Sequence, residues 1–121
     1  MQLIAVEPEL GHRIQGLKNM KEAIVPKIYN KEMIDRTIVV NTKDAYEWVL
    51  KLTRDEGIFV GQSSGAAMCA AHRVAREVEN GVFVVIFPDL GFKYLTADPY
   101  MNEEIVEKIP EARRTGQVVR I

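Results

Sequence analysis

Short β-branched runs alternate with helix-periodic stretches along this chain, and only a few residues join each run to the next. Leu3-Ile4-Ala5-Val6 and Thr37-Ile38-Val39-Val40 are apolar runs of the kind that fill strands buried on both faces. After the second run stand Asn41 and Thr42, both good helix N-caps, and then Ala45, Trp48, Val49 and Leu52 at i, i+3, i+4 and i+7. This spacing predicts an amphipathic helix closed by Gly57. Ile58-Phe59-Val60 reads as a third strand, followed by a helix from about Ala66 to Glu79 that ends at Asn80-Gly81. Residues 82–87 read as a fourth strand, stopped by Pro88-Asp89-Leu90-Gly91. Gly11, Gly16 and Pro26 interrupt any helix between Glu9 and Asn30, so loop and short helical turns are expected there. The alternation predicts an α/β fold of three layers, a mostly parallel open sheet flanked by helices. Right-handed crossovers make a doubly wound arrangement the simplest topology.

At 121 residues the chain has room for one small domain, expected over residues 1–100 and followed by a tail, residues 101–121. Sixteen basic and seventeen acidic side chains nearly cancel and are scattered, so no field draws the chain toward nucleic acid or anionic lipid. No segment approaches the roughly eighteen consecutive apolar residues of a membrane span, and the first residues lack a leader pattern. The lone Cys69 permits neither an internal disulfide nor a cysteine-based zinc site. These features fit a cytoplasmic protein with no membrane, nucleic-acid or metal partner.

In open α/β sheets ligands sit beyond the C-terminal strand ends, which directs attention to the turns after Val60 and Phe87. Gly61-Gln62-Ser63-Ser64-Gly65 puts small residues and two hydroxyls where a strand gives way to a helix, with free N–H groups and a positive dipole end nearby. Its plainest reading is a helix N-cap supplied by Ser63 or Ser64. A phosphate-binding P-loop would need Gly-Lys-Ser/Thr, and the turn ends in Gly65-Ala66-Ala67 instead. The segment matches Gly-x-Ser-x-Gly, which would make Ser63 the nucleophile of a serine hydrolase, but that order requires an acid and then a histidine. The only histidines, His12 and His72, both precede Asp89, which leaves the hydrolase a distant alternative. The glycine spacing also fails the dinucleotide fingerprint.

Gly57-Ile58-Phe59-Val60-Gly61-Gln62-Ser63-Ser64-Gly65-Ala66-Ala67, then Val84-Val85-Ile86-Phe87-Pro88-Asp89-Leu90-Gly91 and Lys93-Tyr94-Leu95-Thr96, resemble the signature pair of the cysteine synthase and cystathionine β-synthase family. Ala5-Val6-Glu7-Pro8 and His12-Arg13-Ile14-Gln15-Gly16-Leu17 are similar to that family's strand and active-site segment. The resemblance runs from Leu3 to Thr96. It implies part of the large domain of a fold type II enzyme with pyridoxal 5'-phosphate as cofactor. By position Ser63 would hydrogen-bond the cofactor's pyridine nitrogen, with Gly61, Pro88 and Asp89 bordering the ring and Ser64 capping the helix. Gln15, Gly16, Lys18 and Arg13 would lie on the substrate side.

The family's Schiff-base lysine and Gly/Thr-rich phosphate loop have no counterpart among these 121 residues, so the chain is expected to be a C-terminal fragment, inactive alone. The run from Gly16 to Tyr29 resembles the cysteine synthase B branch. That likeness implies L-cysteine synthesis from O-acetylserine or O-phosphoserine, with a sulfur donor that in some members is a thiocarboxylated carrier protein. A homodimer is expected. For a phosphorylated substrate Lys18 and Arg13 are the candidate cations, against the plainer reading of Lys18 as a solvated surface lysine. A non-catalytic interaction module that pairs through a sheet edge is the rival reading. Gln62 departs from the family, which commonly has an apolar residue there. Cys69 reads as a buried structural thiol, His72 as a surface or boundary residue, His12 as structural and Trp48 as core or boundary.

Overall fold

The computed structural model describes residues 1–101; the expected tail beyond Met101 lies outside the described residues. Two strands, β1 (Ile4–Pro8) and β2 (Arg36–Val40), pair in parallel with Ile4 opposite Arg36 and Pro8 opposite Val40. Two helices follow, α1 (Thr42–Asp55) and α2 (Gln62–Ala75). α2 lies on the sheet and α1 packs along α2. Ile38 and Val40 of β2 are buried beneath the helices while Val39, pointing the other way, is exposed. Among the described residues the strands are therefore covered on one face, and the arrangement is a small α/β piece of two layers.

α1 forms where its periodicity places it. The Asn41 side chain accepts a hydrogen bond from the Asp44 amide at 2.7 Å, satisfying one orphan donor of the first turn. Thr42, the other candidate cap, accepts instead from the Arg13 amide at 3.1 Å. Ala45, Val49 and Leu52 are buried on one stripe, and Gly57 at φ +69° ends the helix in the left-handed region that glycine enters without penalty. α2 begins and ends about one turn earlier than the sequence suggests. Its N-cap is Gly61, which has no side chain to offer, so neither serine caps it.

Two expected strands do not form. Val60 makes only an isolated antiparallel bridge to Leu90, and residues 82–87 join no ladder among the described residues. Val82, Val84 and Ile86 stand 95%, 89% and 77% exposed. β-branched composition suits a pleated, half-buried surface, but a strand exists only where a neighbour supplies the ladder and a covering layer. The three-layer sheet is thus reduced here to its two-stranded portion.

The 27 residues from Glu9 to Asp35 cross from β1 to β2 without a long helix, containing only a 3-10 turn at Lys31–Met33. Two buried residues hold this connection. Ile14 enters the core with Ile38, Val40, Ala66 and Ala70, and the Asn19 side chain donates to the Pro8 carbonyl at 2.8 Å. Arg73 joins three elements, donating to the Val39 carbonyl at 3.0 Å and to the Asp44 carboxylate at 2.5 Å.

The small-residue face of α2 packs as its composition implies, with Ala66, Cys69 and Ala70 buried against the sheet. Burial pushes the Cys69 thiol upward from its ordinary range, the inert state of a packing thiol. Gly65 marks the closest approach of the helices, since a Cβ there would overlap the Ala45 carbonyl oxygen and the Val49 side chain. Gly65→Ala should therefore push the helices apart and cost roughly 1–3 kcal/mol, read as a lower urea midpoint with an unchanged slope.

Candidate functional site

The turn after Val60 is fixed from three sides. The Tyr100 hydroxyl donates to the Val60 carbonyl at 2.7 Å, the Gly61 amide donates to the Asp89 carbonyl at 3.1 Å, and the Gly91 amide donates to the Phe59 carbonyl at 3.2 Å. Behind it Val49, Tyr94 and Tyr100 form a buried cluster with Leu50 and Phe59. With the turn held, α2 starts at Gln62 and presents Ser63 from its first turn.

Ser63 is buried, 4% exposed, and its hydroxyl makes no hydrogen bond to the described residues. Gly16, at φ +88°, faces it: a Cβ on Gly16 would stand 3.5 Å from Ser63 Oγ. The fold thus joins two residues 47 positions apart by apposing the β1–β2 connection to the start of α2. Ser64 Oγ is buried without a partner, so the expected cap is replaced by an orphaned hydroxyl one residue further in.

Asp89 meets the same turn. A Cβ on Gly61 would overlap the Asp89 carboxylate and the Tyr94 ring, so only glycine lets them close on this backbone. Tyr94 donates to Asp89 Oδ2 at 2.6 Å, Lys93 Nζ approaches the same oxygen at 3.6 Å, and Oδ1 is buried with no partner. Burial first, then the hydrogen bond to the Asp89 carboxylate, push the Tyr94 phenol from its ordinary 10 up to about 12. Pro88 lies exposed beside this pair.

The other candidates lie further out. Arg13 and Gln15 line a cleft of about 400 Å³ with Tyr46, Gln62, Thr96 and Asp98, whereas Lys18 is exposed and absent from that lining. His12 Nδ1 accepts from the Ile14 amide at 3.1 Å, a local turn bond. His72 is exposed, its ring 4.8 Å from that of Trp48. The residues that sequence reasoning passed over are Tyr94, Tyr100 and Gln62. Tyr94 stands inside a quoted motif, and the anomaly at Gln62 was the one available signal for it.

A profile described as pyridoxal-phosphate dependent enzyme matches residues 2–89 of the chain. The chain belongs to this family. It is 45% identical to the cysteine synthase of Aquifex aeolicus, a match that covers 86% of this chain and 33% of that protein. It is 37% identical to cysteine synthase B of Pseudomonas aeruginosa, covering 83% and 33% respectively. Among solved structures, the cysteine synthase of Entamoeba histolytica superposes with a TM-score of 0.76 at 34% identity, over 84% of this chain and 33% of that one. The chain spans about a third of the length of these relatives. Among the described residues no helix is long and apolar enough to cross a membrane.

The residues present fit a flat heteroaromatic cofactor. An unpartnered serine hydroxyl at a helix start, faced by glycine backbone, has a hydrogen bond left to make, a geometry that suits a ring nitrogen.

The Tyr94 shift has a defined sign. Its folded value lies above the unfolded one, so the stabilisation from neutral Tyr94 is complete below pH 10 and disappears as pH rises through about 12. Tyr94→Phe should cost about 1–2 kcal/mol at neutral pH and should remove this component of the alkaline loss, measured by denaturant titration from neutral to pH 12.

Proposed function

We propose that this chain supplies the cofactor-facing turn and substrate-side loop of a cysteine synthase. The enzyme would make L-cysteine by β-replacement on O-acetylserine or O-phosphoserine. Pyridoxal 5'-phosphate, when bound, supplies the electron sink for losing the leaving group from the substrate's β carbon. The observation that carries this reading is the unpartnered Ser63 hydroxyl opposite Gly16, in a chain of this family.

Ser63 would hold the pyridine nitrogen with a neutral hydroxyl. Unlike a carboxylate, it does not keep that nitrogen protonated, which favours elimination over transamination. Gly61 lets the Asp89 carboxylate and the Tyr94 ring close on the turn, which would put Pro88 and Asp89 at the border of the cofactor ring. Asp89 is held in place by Tyr94 and Lys93. Gln15 and Gly16 border the substrate, and Arg13 or Lys18 would meet a phosphorylated leaving group. In this reading the Schiff-base lysine and phosphate loop belong to parts of the family fold outside these residues, residues 1–100 are one portion of its large domain, and the working enzyme is a cytoplasmic homodimer. Its sulfur donor is sulfide or a thiocarboxylated carrier protein.

The experiment is a Ser63 series in an enzyme carrying this segment together with the lysine. Ser63→Asp should slow turnover on the order of a hundredfold by protonating the ring nitrogen, and Ser63→Ala less than about tenfold, as loss of one neutral hydrogen bond implies. Equal turnover in all three removes Ser63 from the site. A second reading, a non-catalytic module that pairs through residues 82–87, is favoured by the exposure of Val82, Val84 and Ile86. Light scattering on the chain itself separates the two, since a module that pairs through an exposed edge gives a dimer or larger species.

The substrate can be read from Lys18. Lys18→Ala should raise KM for O-phosphoserine roughly tenfold, as loss of a charge-assisted contact implies, while O-acetylserine barely responds. Equal effects on both substrates, or none, leave Lys18 a surface lysine.

A further inference from the structure

No step of the proposed reaction uses Gln62, yet its side chain is the most unusual feature of the α2 start. It is a polar amide only 1% exposed, directly before Ser63, at a position where the family resemblance leads one to expect an apolar residue. An amide buried without partners costs several kcal/mol, so a site that keeps one must satisfy it. Here both ends are satisfied. Oε1 accepts from the Gln15 amide at 2.6 Å, and Nε2 donates to the Asp98 carbonyl at 2.5 Å.

The chemistry fixes which end faces which partner. Gln15 offers an N–H and Asp98 a C=O, so the oxygen must turn to the first and the nitrogen to the second. An apolar side chain could make neither bond, and a carboxylate could make only the first. The two partners belong to separate segments, 47 residues before Gln62 and 36 residues after it. One is the connection that brings Gly16 to Ser63. The other is the turn after Tyr94, where the Ala97, Tyr100 and Met101 amides close local bonds.

We propose that Gln62 is a positioning residue that clamps the Gln15-Gly16 segment against Ser63 by bridging the Gln15 amide and the Asp98 carbonyl. Gln62 and both its partners line the cleft that Arg13 also lines. The clamp's consequence for substrate binding rests on the reading of residues 13–16 as the substrate side. The clamp itself does not.

Two variants divide the two arms. Gln62→Leu removes both bonds, whereas Gln62→Glu keeps an acceptor for Gln15 and loses the donor to Asp98. Amide hydrogen exchange on the full chain without cofactor should show Gln15 exchanging roughly tenfold faster or more in Gln62→Leu, with the α1 core amides of Val49 and Leu52 still protected. In Gln62→Glu, Gln15 should keep its protection while the Tyr100 and Met101 amides speed up. Unchanged protection of Gln15 in Gln62→Leu overturns the clamp, as does equal loss at Gln15 in both variants. If Gln62→Leu does not fold, the contrast between Gln15 and Tyr100 within Gln62→Glu decides alone. In the complete enzyme the clamp predicts a KM for the activated serine raised severalfold, with kcat at saturation little changed. Exchange behaviour as expected with KM unmoved upholds the clamp and removes residues 13–16 from the substrate side.

Discussion

The bare backbone of Gly65 sets how closely α1 and α2 approach, and the rest of the described structure depends on that approach. The Ala45 carbonyl and the Val49 side chain occupy the space a Cβ would take. Ala66, Cys69 and Ala70 continue the same narrow face toward the sheet, where Ile38 and Val40 receive it. Close packing of this kind transmits displacement, because interiors at crystal-like density have little slack. A shift of α2 by even a methyl group would therefore move its first turn, and with it Gln62, Ser63 and Ser64, away from the β1–β2 connection.

Around that fixed helix the polar groups divide into those that hold the architecture and those left open. Asn19, Asn41, Arg73 and Tyr100 each complete a bond between separate segments or cap an element end, and Tyr94 closes a local bond to Asp89. Ser63 Oγ, Ser64 Oγ and Asp89 Oδ1 do not. Ser64 Oγ and Asp89 Oδ1 are buried, and among the described residues these two unsatisfied oxygens lie at one turn, beside the Ser63 hydroxyl. That is the physical content behind proposing the turn as a ligand site, and family membership suggests the kind of ligand.

Much of this was legible in the residues. The helix after Asn41 follows from its cap, its stripe and Gly57, all local signals within a single element. The first two strands follow from their apolar runs, a parallel sheet from the alternation of strand and helix signals, and the turn at Gly61 from its position between a strand-like run and a helix. The strands expected at residues 58–60 and 82–87 were misread because their composition is right but their ladder partners are absent among the described residues, and a ladder is a tertiary fact. The start of α2 was placed too late because a glycine can serve as N-cap with no side-chain bond, a weaker signal than the two serines that follow it.

By itself the sequence determined the helical and strand propensities, the family motifs and the identity of the hydroxyl at the turn, because these depend on residues close together in the chain. Only the tertiary structure decided which of the two serines faces Gly16, that Gln62 spends both ends of its amide on segments far apart, and that Tyr100 reaches the Val60 carbonyl. Each of these depends on where a second segment arrives. Periodicity and spacing along one stretch of chain carry no record of the distance to another, which is fixed only when the helices, the sheet and their connections pack together.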